Sequence, residues 1–237
     1  MRTIGLILAG AGLAAGLTAC SGGSDDNGFG DKSAEDIAKT AKADMADLTS
    51  LKVSGTITSE GKDTTLDLQV GEDGNCTGSI AVDDGTAELL GVDGTVWIKP
   101  NEAFWRTSAG DSADQIISLV GDNWVVLPAE DDSFDEFCDV SSLLENLLKD
   151  DTESGDSTYT KTGTDEVDGQ EVVKVDNKDS KGTSTGYVLT DDPHYLVKVE
   201  KTEGDDTGSV TFSAFDEKFD VAAPPDDEIV DLSTLAG

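Results

Sequence analysis

The chain has 237 residues, of which 50 are acidic and 16 basic, so its formal net charge is −34. This balance excludes binding to nucleic acid and charge-driven adsorption on anionic lipid, because both need basic surface. Calcium binding is the functional alternative for so many Asp residues. However, no D-x-[DN]-x-[DN]-G loop with a Glu at its twelfth position occurs, which favours solvated surface. Adaptation to high salt would give the same excess of acidic residues as a soluble, self-repelling surface.

Residues 1–19 have the pattern of a bacterial export signal, because Arg2 precedes an apolar run over 4–17 and small residues precede Cys20. The segment Leu17-Thr18-Ala19-Cys20 resembles the lipobox of bacterial lipoproteins. This resemblance implies that Cys20 becomes the N-terminus, carries a thioether-linked diacylglycerol and anchors the protein to the outer face of the cell membrane. The alternative is a secreted protein with a chance cysteine. A spanning helix is disfavoured, because a bilayer needs about 20 apolar residues.

The chain after Cys20 begins with a polar stretch. Residues 21–30 read SGGSDDNGFG, a composition typical of flexible tethers. No Pro-rich or low-complexity segment follows, and β-rich single domains often reach about 200–250 residues. We therefore assign 1–19 to a signal peptide, 20–30 to a lipidated tether and 31–237 to a single domain.

The chain has three cysteines. With Cys20 assigned to lipid, Cys76 and Cys138 remain, and two such cysteines outside the membrane usually form a disulfide. Two free buried thiols are the alternative. A metal site is not expected, because His194 is the single histidine and no C-x-x-C motif occurs.

The first predicted element is a helix over 33–49, where apolar residues recur at helical spacing after a Ser33 N-cap. The period then changes to two, which predicts an antiparallel meander with turns at G-K-D, E-D-G, D-D-G and D-G. Its apolar positions are Leu51, Val53, Ile57, Leu66, Leu68, Val70, Ile80, Val82, Ala87 to Val92, and Val96 to Ile98.

A helical insertion follows the first strands. A short helix is predicted from Ser112 to Val120, and an apolar stretch over Trp124 to Leu127 ends at Pro128. The capping-box pattern Ser133 to Glu136 opens a helix or helix pair that reaches Lys149 and contains Cys138. A Cys76–Cys138 bridge would therefore link a helix to a strand.

Strands are predicted again after the insertion, and Pro224-Pro225 keeps the closing segment 223–230 out of any central strand. These later strands cover Ser157–Gly163, Gln170–Asn177, Thr183–Thr190, Tyr195–Thr202 and Gly208–Phe215. The fold class is therefore α+β. A sheet of about ten antiparallel strands must curl or cover its apolar face, and the helices 33–49 and 112–149 are available to cover it.

At this point the chain resembles the LolA/LolB–LppX superfamily of half-barrel lipid and lipoprotein carriers, and within it the actinobacterial lipoproteins related to LppX and LprG. The residues that carry the resemblance are Cys20, Leu51 to Ile57, Val96 to Lys99, Phe104-Trp105, Val167 to Val175, His194 to Val199 and Pro224 to Val230. The resemblance implies a strongly curved antiparallel half-barrel of about 10–11 strands. It also implies helices on the concave face and an apolar cavity that holds acyl chains.

The candidate cavity lining comes from both layers of the expected fold. It consists of Leu66, Leu68, Val96, Ile98, Ile117, Val120, Leu144 and Leu147. An ordinary close-packed core is the alternative for each of them.

The leading hypothesis is a carrier of a hydrophobic or lipid ligand at the cell surface. The alternative is an interaction or sensor module on the same scaffold, with a membrane protein as its partner. No cofactor or enzymatic activity is expected, because no G-x-S-x-G, H-E-x-x-H or P-loop motif occurs. His194, beside Pro193, is expected to be a solvent-facing turn residue.

Overall fold

A computed structural model of the chain describes residues 28–126, 134–148, 157–204 and 206–232. The helices are α1 (Ala34–Ala46), α2 (Glu102–Ser108), α3 (Ala113–Val120) and α4 (Val140–Leu147). The strands are β1 (Leu51–Ser59), β2 (Lys62–Val70), β3 (Cys76–Val82), β4 (Gly85–Val92), β5 (Thr95–Pro100), β6 (Trp124–Val126), β7 (Thr158–Val167), β8 (Gln170–Asp179), β9 (Gly182–Leu189), β10 (Leu196–Gly204), β11 (Asp206–Ser213) and β12 (Ile229–Asp231).

All of these strands belong to one sheet, in the order β12-β6-β5-β4-β3-β2-β1-β11-β10-β9-β8-β7. Neighbours are antiparallel except β12 and β6, which are parallel. The sheet is open, with β12 and β7 at its two edges. The predicted antiparallel half-barrel with helices is confirmed. The structure has two short additional strands, β6 and β12, beyond the ten long ones.

The hairpins form where the sequence places an acidic residue before glycine. Asp93 and Gly94 have φ values of 51° and 78°, and Asp168 and Gly169 have 51° and 81°. Two successive positive φ values define the tight turn whose twist matches that of antiparallel strands. These turns fix the register, and thereby decide which side chains point to the concave face.

The curvature is helped by glycines where β1 crosses β11. A Cβ atom at Gly55 would overlap the backbone oxygen of Ser209, and one at Gly208 would overlap that of Thr56. Glycine at both positions lets the two strands approach closely, as in other sharply coiled sheets.

The helices agree with the prediction at α1 and α3 and differ elsewhere. The Ser33 hydroxyl caps α1 by accepting a hydrogen bond from the Asp36 amide at 3.1 Å. Helix α2 was not predicted. It begins after Asn101, whose side-chain oxygen accepts from the Phe104 amide at 2.8 Å. A polar cap is thus sufficient to begin a helix of about two turns, which is too short to show an apolar periodicity in the sequence.

The predicted helix across Cys138 is interrupted at Asp139. A 3-10 turn covers Asp135–Cys138, and α4 then begins anew with the Asp139 carboxylate accepting from the Ser142 amide at 2.6 Å. The predicted Ser133 cap and Lys149 end lie outside the described residues.

The molecule divides into two halves along the sheet. The "covered half" consists of β2–β6 with α2, α3 and α4, and the "groove half" consists of β7–β11 with α1; β1 lies between them. In the covered half, Cys76 and Cys138 form a disulfide between the start of β3 and the turn before α4. Gly91 is the partner of Cys76 on β4, and a Cβ atom there would stand 2.8 Å from the Cys76 sulfur. The absence of a side chain at Gly91 therefore makes room for the bridge.

Candidate functional site: a groove on the concave face

A groove of about 700 Å³ lies on the concave face of the groove half. Strands β8–β11 and Ile57 of β1 form its floor, α1 forms one wall, and the C-terminal end of α4 contributes Leu147 and Leu148. At about 4.8 Å between neighbouring strands, the floor from β8 to β1 is about 19 Å wide. The groove is therefore large enough for an extended alkyl chain.

The centre of the floor is apolar and made of small side chains. Register places Val175, Gly186, Val199 and Val210 side by side on four consecutive strands. Val175 and Val210 are buried, and Val199 is half-buried. Because no side chain larger than valine occupies this row, the floor is not filled by the sheet itself.

The next row along the strands is polar. It contains Asn177, Ser184, Lys201 and Gly208, again on four consecutive strands. The character of the floor thus changes from apolar to polar over one step of two residues, about 7 Å. The groove has an apolar centre and a polar rim.

The wall formed by α1 is apolar where it faces the floor. Ala38, Ala41 and Met45 line the groove at spacings of three and four residues, which puts them on one face of the helix. Ala41 and Met45 are 3% and 1% exposed. Two alanines in this stripe leave α1 too thin to fill the space above the strands.

The rim carries charges of both signs. Lys42, Lys181 and Lys201 line it together with Asp179 and Asp206. Asp206 accepts a hydrogen bond from the Ser59 hydroxyl at 2.5 Å, and Asp179 accepts one from the Lys181 amide at 2.8 Å. Partial burial lowers the pKa of the Lys42 ammonium. In a chain with a net charge of −34, this rim is locally richer in cations than in anions.

The structure separates the eight residues that the sequence suggested as cavity lining. Leu147 lines the groove. Leu66, Leu68, Ile98, Val120 and Leu144 are buried in the main core, and Val96 and Ile117 pack against it. These seven residues belong to an ordinary close-packed core, which is the alternative that the sequence left open for each of them. The physical reason is that the helical insertion packs directly on the covered half, to which the disulfide ties the start of α4.

The residues that do line the groove had a weak signal in the sequence. Four inward positions of β9 and β11 hold side chains too small to fill a core, namely Ser184, Gly186, Gly208 and Val210. The next inward residues on these strands, Val188 and Phe212, are larger and also line the groove. Small residues at inward strand positions therefore mark the groove, whereas the large apolar residues that suggested a cavity fill the core.

His194 corrects another expectation, because it is 8% exposed and not a solvent-facing turn residue. Its ring stacks on Phe29 at 3.5 Å between centroids, and its Nδ1 lies 3.2 Å from the Leu189 carbonyl oxygen. Its backbone amide donates to the Asp44 carboxylate at 2.8 Å. These contacts hold Phe29 and α1 against the end of β9, so His194 stabilises the packing of the groove half.

Two further observations concern metals and membranes. The described residues contain no cluster of three or more His, Cys, Asp or Glu side chains placed to hold a metal ion. Within the same ranges, no helix has the length and apolar character needed to cross a bilayer. Cys20 and the predicted signal segment lie outside the described residues.

Comparison with known proteins gives structural matches. No family model matches the chain, and no curated protein matches it in sequence. The lipoprotein LppX of Mycobacterium tuberculosis is 15% identical, and the match covers 80% of this chain and 98% of LppX with a TM-score of 0.51. LprF from Mycobacterium bovis is 18% identical over 81% of this chain and 96% of LprF, with a TM-score of 0.52. At such identities the likeness is one of fold, and it confirms the LppX-like architecture.

Proposed function

We propose that the protein is a membrane-anchored extracytoplasmic lipoprotein that binds or carries a hydrophobic ligand, with an acyl chain of that ligand in the groove. The observation that carries this proposal is the groove of about 700 Å³, apolar along its centre and polar at its rim. Clefts of about 300–1,000 Å³ with this arrangement are typical of small-molecule sites.

The free energy gained by burying methylene groups determines which acyl-chain lengths the groove favours. Burial contributes about 0.8 kcal/mol per CH₂ group, so ten buried methylenes contribute about 8 kcal/mol. Association costs an estimated 4–15 kcal/mol in lost translational and rotational freedom. This balance therefore favours a long chain that lies along the floor over a short one.

The anchoring part of the proposal rests on the sequence. The Leu17-Thr18-Ala19-Cys20 segment has the lipobox pattern, and the structurally similar LppX is itself called a lipoprotein. Lipidation of Cys20 would keep an acidic domain at the membrane that its own charge does not attract. We expect the wild-type chain in the membrane fraction and the Cys20→Ser variant in the soluble fraction. Equal distribution of the two would contradict the anchor.

A surface module that adds a partner strand to β7 is less well supported. This edge strand is exposed along most of its length, but it carries Lys161, Asp165 and Glu166. Charged side chains on an edge strand oppose pairing with another chain. The groove is therefore the better candidate site on this scaffold.

The test of ligand binding is native mass spectrometry of the full chain with Cys20→Ser, purified under native conditions from a lipid-containing bacterial host. We expect a reproducible adduct with the mass of an acyl lipid, which organic extraction recovers. A clean apo mass together with a lipid-free extract would overturn the proposal.

A further inference from the structure

Several basic side chains of the described residues form ion pairs with carboxylates. Lys52 contacts Asp67 at 3.0 Å, and Lys174 contacts Asp165 at 3.2 Å. Arg106 pairs with Asp114 at 2.7 Å. Exposed lysines such as Lys62 and Lys178 have no ion pair within the described residues, but water solvates their charge.

Lys201 differs from these residues. Within the part of the chain that the structure describes, its ammonium makes no hydrogen bond or ion pair, although it is half-buried. Its side chain points into the groove from the middle of the polar row, between Ser184 and Gly208 on the neighbouring strands. A half-buried cation without a partner is costly, so it indicates an anionic group that is supplied from outside.

The backbone around Lys201 is shaped to hold its side chain in this place. Gly182 and Gly204 are partners across β9 and β10, and a Cβ atom at either would stand 3.1 Å from the Lys201 Cε atom. The lysine stem therefore lies across two glycines. Lys42 and Lys181 line the same groove, so its lining contains three cationic side chains.

We propose that the ligand is an amphiphile with one anionic head group, a carboxylate or a phosphate, which binds at Lys201 while its acyl chain lies over Val199 and Val210. This inference rests on the proposed function of the groove and adds the chemistry and orientation of the ligand. The row beyond Val199 contains Val188, Leu196 and Phe212, so the chain has an apolar path away from the rim. A neutral lipid of the same length would leave Lys201 unpartnered.

The experiment compares cis-parinaric acid with its methyl ester, which has the same chain and no charge. The affinity of each probe is measured for the full chain carrying Cys20→Ser. We expect the acid to bind at least about fivefold more tightly than the ester, as for a partly buried charge-assisted contact. In Lys201→Met, which keeps the apolar stem, the affinity for the acid falls to that for the ester. The affinity for the ester stays unchanged.

Two variants control for folding and for net charge. Lys201→Arg keeps the cation and should keep the preference for the acid. Lys178→Met removes the same charge from β8, one position after groove-lining Asn177, where strand alternation places it on the outward face; it should behave as the parent chain. Displacement of the probe by oleate and by oleoyl lysophosphatidate separates carboxylate from phosphate, with monoolein as the neutral comparison.

The outcomes are distinguishable. If the parent chain binds acid and ester equally, or if Lys201→Met keeps the full preference, the head-group assignment is overturned and the acyl groove remains. If neither probe binds, the proposed function fails as well.

Discussion

The two halves of the sheet share strand geometry but differ in the volume of their inward side chains. In the covered half, Leu68, Leu89 and Ile98 point inward and are at most 1% exposed beneath α2–α4. In the groove half, the row that holds Gly186, Val199 and Val210 has small inward side chains, and α1 presents alanines to it. Since protein interiors are close-packed, large residues close one half, and small residues leave a groove in the other. One sheet thus combines a close-packed half with a half that holds a groove.

The largest expected effect concerns the disulfide of the covered half. The double variant Cys76→Ala/Cys138→Ala opens a loop with a sequence separation of 62. In the chain-entropy model, this lowers the free energy of unfolding by about 4 kcal/mol, which urea denaturation measures. Affinity of the folded variant for a groove ligand should stay unchanged, because the bridge is not part of the groove lining. An unchanged unfolding midpoint would contradict the supporting role of the bridge.

Next in size is a matched pair of truncations. Leu68→Ala removes a fully buried side chain and should cost about 3 kcal/mol of stability without changing ligand affinity. Val199→Ala truncates a half-buried residue of the groove floor and should cost less than about 1 kcal/mol. Thermal unfolding measures the loss of stability in both variants, and probe titration measures their affinity for the ligand. Weaker ligand binding in Leu68→Ala would mean that the ligand contacts the covered half.

A third change fills the groove instead of emptying the core. In Val199→Trp, an indole stands in the middle of the floor, so binding of a long acyl probe should weaken by at least about tenfold, equivalent to about 1.4 kcal/mol. Circular dichroism should show an intact sheet. Lys178→Trp, on the outward face of β8, is the matched control. Equal affinity in both variants would place the acyl chain elsewhere.

The smallest expected effect lies on the outward face of the groove half. Burial raises the pKa of Tyr187 to about 12, and the hydrogen bond that its hydroxyl donates to Glu200 at 2.9 Å adds to this. Because the folded pKa lies above the unfolded value of 10.0, the contribution of Tyr187 to stability is complete below pH 10.0 and is lost as pH rises toward 12. The stability difference between the wild type and Tyr187→Phe should therefore shrink between pH 10 and about 12. A constant difference would show that Tyr187 is not shifted.

Much of the fold follows from local patterns. The alternating strands, the acidic-Gly turns and the capped helix α1 are set by residues close in sequence. Helix α2 was not predicted, and the pattern over 133–149 left one helix or a helix pair open, because each of these details depends on one capping side chain inside a short segment. The position of the groove depends on which half the helical insertion covers. Contacts between residues far apart in sequence, such as Cys76 and Cys138, determine which half is covered. The periodicity of the sequence does not predict such contacts.

The most direct test of the central claim is photolabelling with a diazirine-bearing palmitic acid, followed by peptide mapping of the full Cys20→Ser chain. The groove predicts labelled peptides from α1 and from the floor strands around Val188, Val199 and Val210. It also predicts that Val199→Trp loses this labelling. Labels concentrated around Leu68 and Ile98 would place the ligand in the covered half and contradict the division of the sheet into a support and a binding surface.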